Sequence, residues 1–140
     1  MSKSNVFENN VLALIFNGTA ITGLARDAAA PLTNLYVSLH IGDPGEAGTQ
    51  ATNEATYTSY ARVAVARPAG WTVTGNSVSP AATITFPAGT GGGGTVTHWG
   101  VGTAASGAGV LLYSGTITPN IVTGNAITPK LSTASTITEN

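Results

Sequence analysis

The side chains best able to do chemistry gather in one short stretch, where Asp43, Glu46 and Glu54 form the only closely spaced acidic set of the chain. From Asp43 to Glu54 an acid, a glycine and a glutamate occupy positions 1, 6 and 12 of a calcium-loop pattern. Positions 3 and 5, however, are Gly45 and Ala47, which offer no side-chain oxygen, and no helix is expected on either flank, so a dedicated calcium site is not expected. General acid–base catalysis needs two ionisable groups converging on one cleft. These three acids share a loop whose turns give no evident means of raising one pKa against another, so no glycosidase pair is expected either. His40 and His98 fall on different strands, and a zinc site would need further ligands that only distant acids could supply. Gly89 to Gly94 formally matches G-x-G-x-x-G, but a strand follows it, and no helix N-terminus is available to hold a pyrophosphate. A P-loop lysine and a G-x-S-x-G elbow are both missing from the sequence. The sequence therefore predicts no catalytic residue, no metal and no cofactor. Among the aromatic residues that could line a sugar-binding face, Trp99 and Tyr113 have the phase of core residues, while Tyr57 and Tyr60 flank the long loop and are the better contact candidates.

Those residues need a scaffold, and its elements are legible in the pattern of apolar positions. Asn5 as a cap, Glu8 three residues later and Asn17-Gly18 as a left-handed stop predict a helix over Val6 to Phe16. Phe7, Val11, Leu14 and Ile15 share one side of it, with Glu8 and Asn9 facing away. That stripe either packs on its own domain or serves as a docking arm for a neighbour. A polar and alanine-rich passage through Arg26, Asp27 and Pro31 follows as a connector. Beyond it the period becomes two. Leu35, Val37, Leu39 and Ile41 alternate with Tyr36, Ser38 and His40, and Gly42-Asp43-Pro44-Gly45 ends the strand. After a polar loop over 46–58, strands are predicted at 60–66, 71–74, around Val78, 82–86, 95–101 and 110–114, with short ones toward the end of the chain. Trp71 to Val78 reads as a hairpin turning at Gly75-Asn76. Gly89 to Gly94 reads as a mobile loop. About eight or nine short strands predict an all-β, antiparallel β-sandwich of jelly-roll type with a short N-terminal helix. The expected organisation is an arm over 1–34 and a sandwich domain over 35–140, together one structural unit.

Composition bears on function more directly than any motif. Only 8% of the 140 residues are charged, against roughly 25% in ordinary soluble domains. A standard interface takes about 800 Å² from each partner. On so sparsely charged a surface, a patch of that size is buried with few charges to desolvate, and stranding an unpaired charge is costly. Assembly is therefore the first functional expectation. The five basic residues are scattered and the net charge is −1, which argues against nucleic acid. The longest strongly apolar run, Val11 to Phe16, is far short of the ~20 residues that cross a bilayer, and no secretory-signal pattern is present. Cysteine is absent.

The block from Asn34 to Arg67, NLYVSLHIGDPGEAGTQATNEATYTSYARVAVAR, resembles the signature of small virion structural proteins of tailed phages and prophages. Ser4 to Asn10, Gly70 to Ser79 and Thr97 to Gly109 resemble them as well, so nearly the whole chain is covered. Within that group the chain resembles the capsid cement, or decoration, proteins. The resemblance implies a non-enzymatic protein on the outer capsid surface of the virion that bridges neighbouring major capsid proteins, with a homodimer at capsid two-fold positions. Some related sequences carry tail or fibre labels, and the alternative is a tail-fibre or receptor-binding module recognising host-surface glycans. The resemblance transfers no contact residues. The candidates drawn from the sequence itself are Phe7, Val11, Leu14 and Ile15 on the helix and Asp43, Glu46, Tyr57 and Tyr60 around the loop.

Overall fold

A computed structural model describes residues 4–21 and 32–139, which form one helix and nine strands. Helix α1 spans Asn5–Asn17. The strands are β1 (Asn34–His40), β2 (Val63–Ala66), β3 (Trp71–Thr74), β4 (Ser77–Pro80), β5 (Ile84–Thr85), β6 (Gly94–Gly102), β7 (Leu111–Thr123), β8 (Lys130–Leu131) and β9 (Ile137–Thr138). The protein is all-β apart from that one short N-terminal helix, with antiparallel sheets consistent with a β-sandwich. The predicted connector at Arg26, Asp27 and Pro31 lies outside the described residues.

The chain divides into two compact units. In the first, described residues 4–21 and 32–34 join Val65–Thr83 and 132–139, so that α1 packs on the three-stranded sheet β3-β4-β9. The helix starts at Ser4 rather than the expected Asn5: Ser4 has extended dihedrals and its hydroxyl accepts the Phe7 N–H at 3.3 Å. It stops as expected at Gly18, which is left-handed at φ +68°. Its buried face is not the predicted one. Glu8, Leu12 and Phe16, spaced four apart, are the buried positions, while Phe7 is exposed and Val11, Leu14 and Ile15 are half-buried. Every fourth position drifts only slowly around a helix, so a narrow contact can select that row and carry Glu8 inward with it. Phe16 meets Trp71 edge-on at a ring separation of 4.7 Å. The β3–β4 hairpin turns where the sequence predicts, with Thr74 paired to Ser77 across Gly75 at φ +61°.

The second unit, Leu35–Ala64 with Ile84–Leu131, holds the larger core. Its main sheet runs β2-β1-β6-β7, and β5 pairs with β8. Strand β2 lies where the chain passes from this unit to the other. Leu35, Val37 and Leu39 supply the buried alternation of β1, and Leu39 and Val37 face Trp99 and Val101 of β6. The other face of β1 is buried too, because the segment after it folds back over Ser38 and His40. Alternation places Val96 with His98, yet Val96 is fully buried; the pairing with β7 shifts register between these two residues, and such an irregularity re-aims side chains.

Two strand expectations change. The strand predicted at 110–114 begins at Leu111, leaving Val110 exposed ahead of it, and opens β7, which lies at the border of its sheet. The first of the short strands expected toward the end of the chain merge with it into one 13-residue strand. Pro119 does not interrupt it, because it falls in the irregular stretch where pairing with β6 passes from Thr116 opposite His98 to Ile121 opposite Val96. The glycine run, expected to be mobile, has fixed partners instead. Gly89 N–H donates to Ile127 O, Gly89 O accepts from Ala126, and Gly91 bridges Thr58. A Cβ at Gly89 would stand 2.2 Å from the Gly124 carbonyl oxygen, so glycine is required there by close backbone approach.

Candidate functional site

The loop between β1 and β2 carries most of the chemically capable residues, and it is tied down by one polar cluster. Arg62 is the centre of that cluster, with its side chain only 2% exposed. Its Nε donates to Glu54 Oε1 at 2.6 Å and its Nη2 to Glu54 Oε2 at 2.8 Å. The remaining donors reach the Ala104 carbonyl at 2.9 Å and the Gly107 carbonyl at 2.6 Å. A planar guanidinium suits such a two-pronged carboxylate contact better than an ammonium does. Hydrogen bonding to Glu54 raises the Arg62 pKa further. The Tyr60 hydroxyl donates to Glu54 Oε1 at 2.9 Å and accepts the Leu39 N–H at 3.0 Å, and burial pushes its pKa well up. Gln50, completely buried, bridges the same two loops: Nε2 donates to Tyr36 O and Oε1 accepts the Ala104 N–H.

His40 belongs to this buried set; it and His98 fall on different strands, as the sequence predicts, but those strands are neighbours and His98 is only half-buried. It pairs in register with His98 on β6 and is completely buried. Its Nδ1 lies 2.8 Å from Thr52 O, an acceptor, so this nitrogen carries the proton and Nε2 accepts from Ser38 Oγ at 2.8 Å in the neutral ring. Burial lowers the His40 pKa, opposed by the Thr52 carbonyl and by Glu54.

These contacts place each predicted residue. Tyr57 is buried at 3% exposure with its hydroxyl donated to Pro87 O, and burial raises its pKa. Tyr60 is half-buried between Tyr57 and Phe86. Both rings thus pack within their own unit. Glu54, the twelfth position of the calcium pattern, is held by Arg62 and Tyr60, and Asp43, its first, accepts the Gly45 N–H at 2.8 Å as a turn cap. Among the described residues no group of three His, Asp or Glu is placed to hold a metal ion, and no helix is long and apolar enough to cross a membrane.

Asp43 and Glu46 instead come together on a different feature. They line a groove of about 550 Å³ with His98 of β6 and Tyr113, Ser114 and Thr116 of β7. In the sequence His98 and the acids are far apart; the alternation of 95–101 and the apolar run at 110–114 predict the two strands but not their pairing.

Fold and site together define a β-structured protein in which buried Gln50, Arg62 and His40 are engaged in holding its own loops. Residues 2–136 match the family described as Podophage GP4 fiber I protein gp80, and the chain belongs to that family. It is a phage structural protein of fibre-like kind, with a virion location. A search of curated proteins finds no match.

Proposed function

We propose that the chain is a non-enzymatic fibre module of the virion that contacts host-surface glycans. The observation that carries this reading is the family match, which covers the chain almost end to end and is described by a fibre protein. The internal bonding of Glu54, Arg62 and Tyr60 supports a structural rather than a hydrolytic role, since general acid–base work needs groups available to substrate. Immunogold labelling of intact particles with antibody to the full chain tests the placement. Label on tails or fibres is expected, and label confined to heads would overturn it.

One observation favours a second reading. The scarcity of charge suits a surface that is covered by protein, as in a cement protein bridging neighbouring major capsid proteins as a homodimer on the outer shell. Because such a bridge engages two subunits, each contact can be weak while the pair holds. Head labelling, together with binding of the purified chain to DNA-filled heads, would establish that reading in place of the first.

A further inference from the structure

We infer that the groove over β6 and β7 is a saccharide site selective for neutral or amino sugars over acidic ones. The inference rests on the glycan-contacting fibre reading and gives it a location. The space, about 550 Å³, lies within the roughly 300–1,000 Å³ of small-molecule sites. Its walls differ in chemistry. One side is the turn carrying Asp43 and Glu46; the other is the face of β6 and β7 that carries His98, with Thr116 opposite it in register and Ser114 beside it, while Tyr113 pairs with Val101 on the reverse face.

Carboxylates accept hydrogen bonds from adjacent sugar hydroxyls, and hydroxyl side chains both donate and accept, so the set matches a polyol. Two of its polar groups are held in place. The Gly45 N–H anchors Asp43 Oδ1, and Thr97 Oγ1 lies 2.9 Å from His98 Nδ1, leaving Nε2 as the ring nitrogen for a ligand. Preorganised groups lose less freedom on binding. The lining contains two carboxylates and neither lysine nor arginine. A uronic or sialic carboxylate would face like charge there without a cation to pair with, whereas a neutral sugar would not and an amino sugar would be attracted.

Chemical-shift mapping on the isotope-labelled full chain tests this with three probes: chitotriose, its deacetylated cationic counterpart and anionic trigalacturonic acid. The first two are expected to shift amides of residues 43–48, 98 and 113–116 at millimolar concentration, and the third to leave them unmoved. Glu46→Gln, at an exposed turn position, should weaken the deacetylated trimer about tenfold, the scale of one hydrogen bond to a charged group. Silence with all three probes, shifts centred elsewhere, an equal response to trigalacturonic acid, or unchanged affinity in Glu46→Gln would each overturn the inference. Tail labelling with a silent groove would remove the site and keep the fibre reading; head labelling with a responsive groove would do the reverse.

Discussion

The two compact units are stabilised by different means. In the unit built from α1, β3, β4 and β9, apolar packing dominates: Leu12 and Phe16 are completely buried, and Trp71 and Val78 nearly so. Its polar groups are less well served. Among the described residues, Asn17 Oδ1, Arg67 Nε and Trp71 Nε1 are buried and meet no hydrogen-bond partner, and all three belong to this unit. Arg67 still donates through its other nitrogens to the Leu14 and Leu32 carbonyls. In the unit of β1, β6 and β7, by contrast, the buried polar residues Gln50, Arg62 and His40 are each held by several partners. The first unit should thus be sensitive to lost volume and tolerant of lost polarity, and the second should show the opposite balance.

The largest expected effect is in the first unit. Phe16→Ala removes a completely buried ring and its edge contact with Trp71, and should cost about 4 kcal/mol by chemical denaturation. A loss under about 1 kcal/mol would mean that apolar packing does not hold that unit. Next, Glu54→Ala leaves the Arg62 guanidinium buried without its carboxylate and should cost about 3 kcal/mol. Glu54→Gln, which keeps a hydrogen-bond acceptor, should cost less, and equal losses would show that charge pairing matters little there.

Acidification should be selective for the second unit. Because burial lowers the His40 pKa below its ordinary 6.5, the unfolded chain takes up the proton first. Stability is therefore full above pH 6.5 and declines as pH falls through that value toward the lowered folded pKa. His40→Gln should flatten this slope in denaturation curves recorded across the window, and a slope of unchanged steepness would assign it to other groups. The smallest effect is expected for Asn17→Ala. It removes a buried oxygen that has no partner, at a helical position where alanine is the better helix former, so stability should move by less than about 0.5 kcal/mol or rise. A clear loss would reveal that the amide is engaged after all.

Local features proved readable where one residue type dictates the backbone. Gly75 marks the β3–β4 turn and Gly18 the helix stop because each needs a positive φ. The alternation of Leu35, Val37 and Leu39 similarly exposes β1, since one core face fixes a period of two. What the pattern could not show is burial by a distant segment. Ser38 and His40 have the spacing of a solvated face, yet Thr52 and the residues around it cover them. The same holds for Tyr57 and Tyr60. Their position beside a polar loop suggests exposure, but a phenol can bury its ring and still satisfy its hydroxyl, here on Pro87 O and Glu54. Glu8 was misjudged because its charge argued for water when its place in the row with Leu12 and Phe16 determined its burial. Of the groove, Asp43 and Glu46 could be seen as a cluster; their meeting with His98 depends on tertiary pairing.

Strand β7 carries no acidic or basic side chain along its whole length and borders its sheet, so no charge deters another strand from lying alongside it. Pro119, however, carries no amide proton and sits where the pairing with β6 skips from Thr116 to Ile121, so a chain adding itself along this margin would meet a break in regular backbone rather than a continuous ladder.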